Sequence, residues 1–130
     1  DTPMSMLIAY RAQAPRVVSD LVKWEAHVGY SVDSAELAAN QTVEIGTPLM
    51  KDANGRLVPL DPADPNLIVG FARANGATGA TPRAAFPYVA RLALISEAGV
   101  VWPAGFDAAK KAATFLAASN LYMIVARAGL

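Results

Sequence analysis

The sequence contains no cysteine, so the fold uses neither a disulfide nor a thiolate-bound metal. Its one histidine, His27, is too few for a zinc site built on imidazole ligands. Basic and acidic residues balance at 11 each and no basic cluster occurs, which disfavours binding to nucleic acid phosphates. No apolar run approaches the roughly 18 to 20 residues of a membrane span. The absences together predict a protein without cofactor, metal, nucleic acid or membrane partner.

Charge is scarce and apolar side chains are abundant. Charged residues make up 17% of the chain and hydrophobic residues 54%. A chain of 130 residues is long enough for one domain with its own core, but such a core leaves much apolar area uncovered. We therefore expect a homo-oligomer or a large partner surface.

The N-terminal residues 4–24 are apolar, interrupted by Pro15, and lack helical periodicity. Two interpretations stay open: a strand in the core of this domain, or an arm that gains its hydrogen bonds on another chain. The second divides the chain into an extended arm over residues 1–30 and a domain over residues 31–130. The candidate contact residues of the arm are Met6, Leu7, Ile8, Tyr10, Val17, Val18, Leu21 and Trp24.

A β-hairpin is predicted over residues 47–60. Asn54 and Gly55 lie at its bend, where a tight turn requires positive φ and these residues adopt it at little cost. Pro48 and Pro59 cannot donate to a ladder, so each is expected at a strand end or an edge. The apolar residues of the two arms are Leu49, Met50, Leu57, Val58 and Leu60.

Further strands surround this hairpin in the sequence. Gly70 indicates a close backbone approach or a bulge within one of them, and Pro87 indicates an edge or a break in another. Strands followed by one helix and a last strand form an α+β pattern. The additional strands are predicted over residues 43–46, 67–72, 84–95, 98–103 and 121–125.

A helix is predicted to begin after Asp107, whose carboxylate can accept the free amides of the first turn. Lys110 and Lys111 are expected on its solvated side, and Asn120 is expected to end it in the left-handed conformation. The residues predicted to share the apolar face are Ala108, Ala112, Phe115 and Leu116, so Phe115 and Leu116 should pack on the sheet.

The sequence gives only weak support for a catalytic site. A triad of Ser19 or Ser31 with His27 and Asp33 can be imagined, but nothing near these residues resembles a nucleophile elbow. The acidic pair in the loop over residues 61–66 lacks the regular ligand spacing of a cation site and is typical of a solvated turn. The sequence therefore favours a protein that buries surface and is not an enzyme.

Six short motifs follow one another with short spacers. The most specific combination is Trp102-Pro103 followed by a helix with two adjacent lysines, after the hairpin. Through these motifs, the stretch over residues 43–125 resembles the head decoration protein family of tailed bacteriophages, the type of phage lambda protein D. The motifs are Thr-Pro-Leu-Met (47–50), Gly-Arg-Leu-Val-Pro-Leu-Asp-Pro (55–62), Val-Gly-Phe-Ala (69–72), Val-Trp-Pro-Ala-Gly (101–105), Ala-Ala-Lys-Lys-Ala (108–112) and Tyr-Met-Ile-Val (122–125).

The resemblance implies a small, mostly antiparallel β domain, barrel-like or β-tulip, with one C-terminal helix. It implies a homotrimer on the outer surface of a phage capsid, assembled in the host cytoplasm, that clamps neighbouring major capsid subunits after expansion. The segment before Val43 is longer and more apolar than in the lambda form. Positions predicted as structural core or trimer contact are Leu49, Val58, Trp102, Pro103, Phe115 and Leu116.

An alternative from another class stays open: a small β-rich binding module displayed on a virion or host surface. The mass in solution separates the two, because a decoration protein of this type is expected to be a trimer.

Overall fold

The computed structural model describes residues 18, 21–25, 31–121 and 123–126, with backbone alone over 23–25 and 124–126. The described part contains one α-helix among short strands, in the predicted α+β order. The strands are β1 (Val22–Glu25), β2 (Val32–Leu37), β3 (Thr42–Val43), β4 (Pro48–Lys51), β5 (Leu57–Pro59), β6 (Gly70–Ala72), β7 (Gly76–Ala77), β8 (Arg83–Val89), β9 (Ala93–Ser96) and β10 (Ile124–Ala126), and the helix α1 is Ala108–Ser119.

A closed five-stranded barrel forms the centre of the fold, in the order β2-β5-β4-β6-β8. Its pairs are antiparallel except β2 with β5, which is parallel. A second sheet has the order β1-β9-β10, and β3 pairs with β7. This confirms the predicted barrel-like, mostly antiparallel domain with one C-terminal helix.

The predicted hairpin is confirmed as β4 and β5, with Met50 opposite Val58. Pro48 begins β4 and Pro59 ends β5, so each proline stands at a strand end as expected. The turn differs from the prediction, because only Gly55 of the expected pair has positive φ, at 77°. The turn is longer and is held by the Asp52 carboxylate, which accepts from the Asn54 and Arg56 amides at 2.9 and 3.0 Å.

The single strand predicted over residues 84–95 is wrong, because the chain bends between β8 and β9. Leu92 adopts φ of 50°, which takes it out of the extended region. Ser31 holds the bend: its carbonyl accepts from the Ala90 amide at 2.8 Å and its hydroxyl donates to the Leu92 carbonyl at 3.2 Å. The bend lets one continuous sequence contribute to both the barrel and the second sheet.

Pro87 lies inside β8, not at an edge or a break as predicted. It stands opposite Ser34 of β2. On the other side its carbonyl accepts from the Arg73 amide at 3.1 Å. At this position the ladder needs no backbone amide donor from residue 87, so β8 continues through the proline.

Three other predicted strands are corrected. The strand over 67–72 shortens to β6, since Pro65–Leu67 forms a 3-10 turn. Of the strand predicted over 43–46, only Val43 lies in a strand, because β3 already ends there. No strand forms over 98–103, because Glu97–Gly99 is also a 3-10 turn and Val101 donates to the Gly46 carbonyl outside any ladder. The close approach expected at Gly70 is confirmed, since a Cβ there would lie 2.1 Å from the Val89 carbonyl oxygen.

Two apolar clusters form the core. One fills the barrel and includes Leu37, Leu49, Leu57 and Phe86. The other lies beneath α1 and the second sheet, and its larger members are Leu21, Phe71, Ile95, Phe115 and Met123. The helix therefore covers the larger cluster and closes the domain beside the barrel.

Part of the predicted arm belongs to the domain. Leu21 is fully buried, Val18 packs against the same cluster, and the Ser96 amide donates to the Leu21 carbonyl at 2.8 Å. The Leu21 side chain is therefore occupied within its own protomer, and the capsid contacts assigned to the arm stay predictions. The strand that follows, β1, pairs with β9 and places Trp24 opposite Leu94. The remaining arm residues, Met6, Leu7, Ile8, Tyr10 and Val17, lie outside the described residues, as does the Trp24 side chain.

Helix α1 begins as predicted, with the Asp107 carboxylate accepting from the Lys110 amide at 2.9 Å. Asn120 ends it with φ of −71° and ψ of −14°, so the predicted left-handed cap is wrong. The buried residues are Thr114, Phe115 and Ala118. Within the protomer, packing of Leu116 on the sheet is also wrong, since its side chain is 71% exposed.

Candidate protein interaction surfaces

Three aromatic rings form a platform between the loop before α1 and the helix itself. The Trp102 ring centroid lies 5.1 Å from that of Phe106 and 5.4 Å from that of Phe115. Lys111 Nζ lies 5.6 Å from the Trp102 ring centroid, close enough for a cation–π contact. Lys111 is thus partly buried against the platform and not on the solvated side where it was predicted. Trp102 itself is half-buried.

A groove of about 260 Å³ opens beside this platform, and we call it the Trp102 groove. It joins Pro59 at the end of the hairpin to Trp102 and Pro103, two motifs that are distant in the sequence. Its lining combines apolar walls with a few polar side chains. The lining residues are Thr42, Glu44, Thr47, Pro59, Val101, Trp102 and Pro103.

The outer face of α1 is apolar and exposed. Leu116 is the most exposed large hydrophobic residue of the described chain, at 71%. Both lysines of α1, Lys110 and Lys111, are partly buried, and Lys111 stands over Trp102. The exposed members of the outer face are Ala109, Ala112, Ala113, Leu116 and Ser119.

A second groove, of about 340 Å³, lies near the C-terminal end of α1 and is lined by Tyr88, Asn120 and Leu121 among others. At its rim Arg91 makes two contacts with Asp33, Nη1 to Oδ1 at 3.2 Å and Nη2 to Oδ2 at 2.5 Å. Burial, and then the negative charge of Asp33, raise the pKa of Tyr88 above 10.0, while Arg91 acts in the opposite direction. The sequence carried no local sign of this ion pair.

The imagined triad is not assembled among the described residues. Asp33 pairs with Arg91, and the Ser31 hydroxyl donates to a backbone carbonyl. Ser19 and His27 lie outside the described residues.

Within the residues that the structure covers, no group of three or more His, Cys, Asp or Glu side chains is placed to hold a metal ion. No helix in that same part of the chain is long and apolar enough to cross a membrane.

The positions predicted as core or trimer contact fall into different environments. Leu49 is fully buried inside the barrel and Phe115 lies under α1. Val58, Trp102 and Pro103 are half-buried, and Leu116 is exposed. Which of these positions contact another subunit stays a prediction.

Comparison with known protein families matches residues 12–122 to the family described as bacteriophage lambda head decoration protein D. The match begins well before Val43, where the sequence motifs begin, and includes the buried Leu21 and strand β1. No curated protein matches the chain.

Proposed function

Because this chain belongs to the bacteriophage lambda head decoration protein D family, we propose that it binds the outer surface of a phage head as a homotrimer and stabilises the expanded shell. The family itself is one of structural capsid proteins, which assigns the chain a capsid decoration role in the virion. The observation that carries the proposal is the family match over residues 12–122 of the 130. Trimerisation and the clamping of neighbouring major capsid subunits are the finer parts of this proposal, and the resemblance to the family implies both.

A shell under internal pressure from packaged DNA needs ties between its subunits. A trimer presents three copies of each contact, and once one copy is bound the others bind at high effective concentration. Individually weak contacts therefore suffice. Such contacts require accessible surface and no titratable or metal-binding group.

We assign the shell contact to the Trp102 groove. The groove is concave, combines apolar walls with polar atoms at Thr42 and Glu44, and lies on a platform held by Phe106 and Phe115. Half-buried tryptophans in such preformed surroundings are frequent hot spots of protein interfaces. A surface of mixed polarity also suits a partner with a different sequence.

A variant that fills the groove tests this assignment. Thr42 is exposed, so Thr42→Arg should block the groove without disturbing the core. We expect co-sedimentation with expanded, empty heads to weaken at least tenfold, while the mass in solution stays that of the unmodified chain. Ala53→Arg is the matched control, because Ala53 is exposed in the hairpin turn, at the opposite end of β5 from Pro59. Equal binding by Thr42→Arg and Ala53→Arg would remove the groove from the shell contact.

The segment before Val18 is proposed as a second shell contact, in line with the arm predicted from the sequence. Its support is the apolar composition of residues 4–17, which lack the periodicity of a helix. Deleting residues 1–13 should leave the domain folded and trimeric and should weaken binding to heads. Loss of the folded state, measured by circular dichroism, or undiminished binding by the deletion variant would contradict the arm proposal.

A further inference from the structure

The dipeptide Asn-Gly occurs twice in the chain, at residues 54–55 and at residues 75–76. Asparagine followed by glycine is especially prone to spontaneous deamidation, because glycine has no Cβ to hinder attack of its backbone nitrogen on the asparagine side chain. We propose that Asn54 is a site of spontaneous deamidation in the folded protein and that the fold protects Asn75. The two sites share one motif, so their local structures decide the difference.

The deamidation of Asn54 needs water as its only co-reactant. The Gly55 backbone nitrogen attacks Cγ of Asn54, the new N–Cγ bond closes a cyclic imide, and the Cγ–Nδ2 bond breaks to release ammonia, which takes the proton of the Gly55 amide. Water then opens the imide. Opening at Cγ gives aspartate, and opening at the main-chain carbonyl gives isoaspartate, in which the backbone passes through the side chain of residue 54. Nothing is oxidised or reduced, and each product is an anion at neutral pH.

The turn around Asn54 leaves the reacting groups accessible. Ala53, Asn54 and Gly55 are all exposed. Among the described residues the Asn54 side chain has no hydrogen-bond partner, since its contact with Asp52 is made by its backbone amide. A Cβ placed on Gly55 would meet no atom within 4 Å, so no packed group surrounds this glycine. The Gly55 amide donates to the Asp52 carbonyl at 2.9 Å, a bond in an exposed turn that local opening can break.

The same motif at Asn75 is held in place. The Asn75 Oδ1 accepts from the Ile45 amide at 2.9 Å, and Ile45 is buried. Attack on the Asn75 side chain would break this bond and leave the amide of a buried residue without its acceptor, which costs free energy. Gly76 lies in β7 opposite Val43, and a Cβ there would lie 2.6 Å from Cε1 of Phe86. Rotation of the chain here would disturb the packing of Phe86, so we expect Asn75 to react slowly although it is itself exposed.

Deamidation of Asn54 alters the turn that Asp52 holds. The Asp52 carboxylate accepts from the amides of Asn54 and Arg56 at 2.9 and 3.0 Å. An aspartate at position 54 keeps the backbone path but adds a negative charge close to Asp52 in the sequence. An isoaspartate adds a backbone carbon between the two amides, so it should displace one of them from Asp52. Because the products do not return to asparagine, the fraction of molecules with a loosened turn rises with the age of the folded protein.

Peptide mapping of the aged, folded protein tests the proposal. The unmodified chain is incubated in mildly alkaline buffer for several weeks and then digested with trypsin, which places the two asparagines in separate peptides, residues 52–56 and 74–83. Mass spectrometry detects the exchange of an amide nitrogen for oxygen, and chromatography separates aspartate from isoaspartate. A sample digested before incubation gives the starting level. We expect at least tenfold more conversion at Asn54 than at Asn75.

The same chain unfolded in guanidinium chloride is the matched control. Without the fold the two Asn-Gly pairs should convert at similar rates, which assigns the difference to local structure. Asn54→Gln lengthens the side chain and should abolish the modification at position 54, while Asn75 keeps its slow rate. Equal conversion of the two asparagines in the folded protein, or an unmodified Asn54 after an incubation that converts the unfolded chain, would overturn the proposal. A difference that persists in guanidinium chloride would overturn the protection of Asn75 by the fold.

Discussion

The inner and outer faces of α1 differ sharply although both are rich in alanine. On the inner face Thr114 and Ala118 are fully buried and Phe115 is 8% exposed. On the outer face Leu116, the next residue after Phe115, is 71% exposed. Successive helical residues point about 100° apart, and here Thr114 and Phe115 fall within the buried side of α1 while Leu116 falls outside it. The contrast shows that the position of the second sheet and of the aromatic platform determines which side of α1 is buried.

The largest expected effect compares the two adjacent apolar residues directly. Phe115→Ala should lower the free energy of unfolding by about 3 to 5 kcal/mol, because it leaves a cavity beside Trp102 and removes a ring contact. Leu116→Ala, on the outer face, should change the free energy of unfolding of the isolated protomer by at most about 0.5 kcal/mol. Denaturant unfolding at low protein concentration measures both. Similar losses for the two variants would mean that the faces are assigned wrongly.

A smaller effect on stability is expected at the N-terminus of α1, where the cap stabilises the whole helix and therefore both of its faces. Asp107→Ala should lower the free energy of unfolding by about 1 kcal/mol, because the Lys110 amide loses its side-chain acceptor. Asp107→Asn keeps an acceptor and should cost only a fraction of this. Thermal melting of the pair checks the role of the cap; equal destabilisation by Ala and Asn would assign the effect to the charge of Asp107 instead.

The smallest effect concerns Tyr88 in the groove at the C-terminal end of α1, and it appears only at alkaline pH. Burial raises the pKa of Tyr88 above 10.0 in the folded protein, so the folded state holds the proton more tightly than the unfolded chain. The associated stability is fully present below pH 10 and is lost as pH rises through the folded pKa. Tyr88→Phe removes this group, so its unfolding free energy should fall less steeply than that of the unmodified protein above pH 10. Parallel pH profiles for the two proteins would mean that the Tyr88 hydroxyl titrates as it does in the unfolded chain.

Local chemistry was enough to predict the elements that depend on a few neighbouring residues. The hairpin follows from Gly55 and its proline-bounded arms, and the helix start follows from Asp107. Gly70 likewise indicated a close approach, which the fold places against Val89. Each of these signals lies within a few residues of the structure that it specifies.

Features set by distant contacts could not be predicted in the same way. The bend after β8 depends on Leu92 in the left-handed region and on hydrogen bonds from Ser31, which is 61 residues away. A leucine carries no preference for that conformation, so the sequence there looks like one long strand. The ion pair of Asp33 with Arg91 and the Trp102 groove likewise appear only when separate segments meet.

The choice of helix face failed for a related reason. Ala108, Ala112, Phe115 and Leu116 form a plausible apolar stripe, but alanines on all sides of α1 leave the direction of the core open. The structure settles it through Phe115, which contacts Trp102 from a different segment. The residue that the pattern misplaced, Leu116, lies instead on the exposed side of α1.

The central claim is that the chain decorates the outside of a phage head, and electron cryo-microscopy of expanded, empty heads tests it most directly. Heads incubated with saturating protein are compared with the same heads alone. We predict additional three-lobed density on the outer surface where three capsid subunits meet. Heads whose outer surface is unchanged at saturating protein would contradict it.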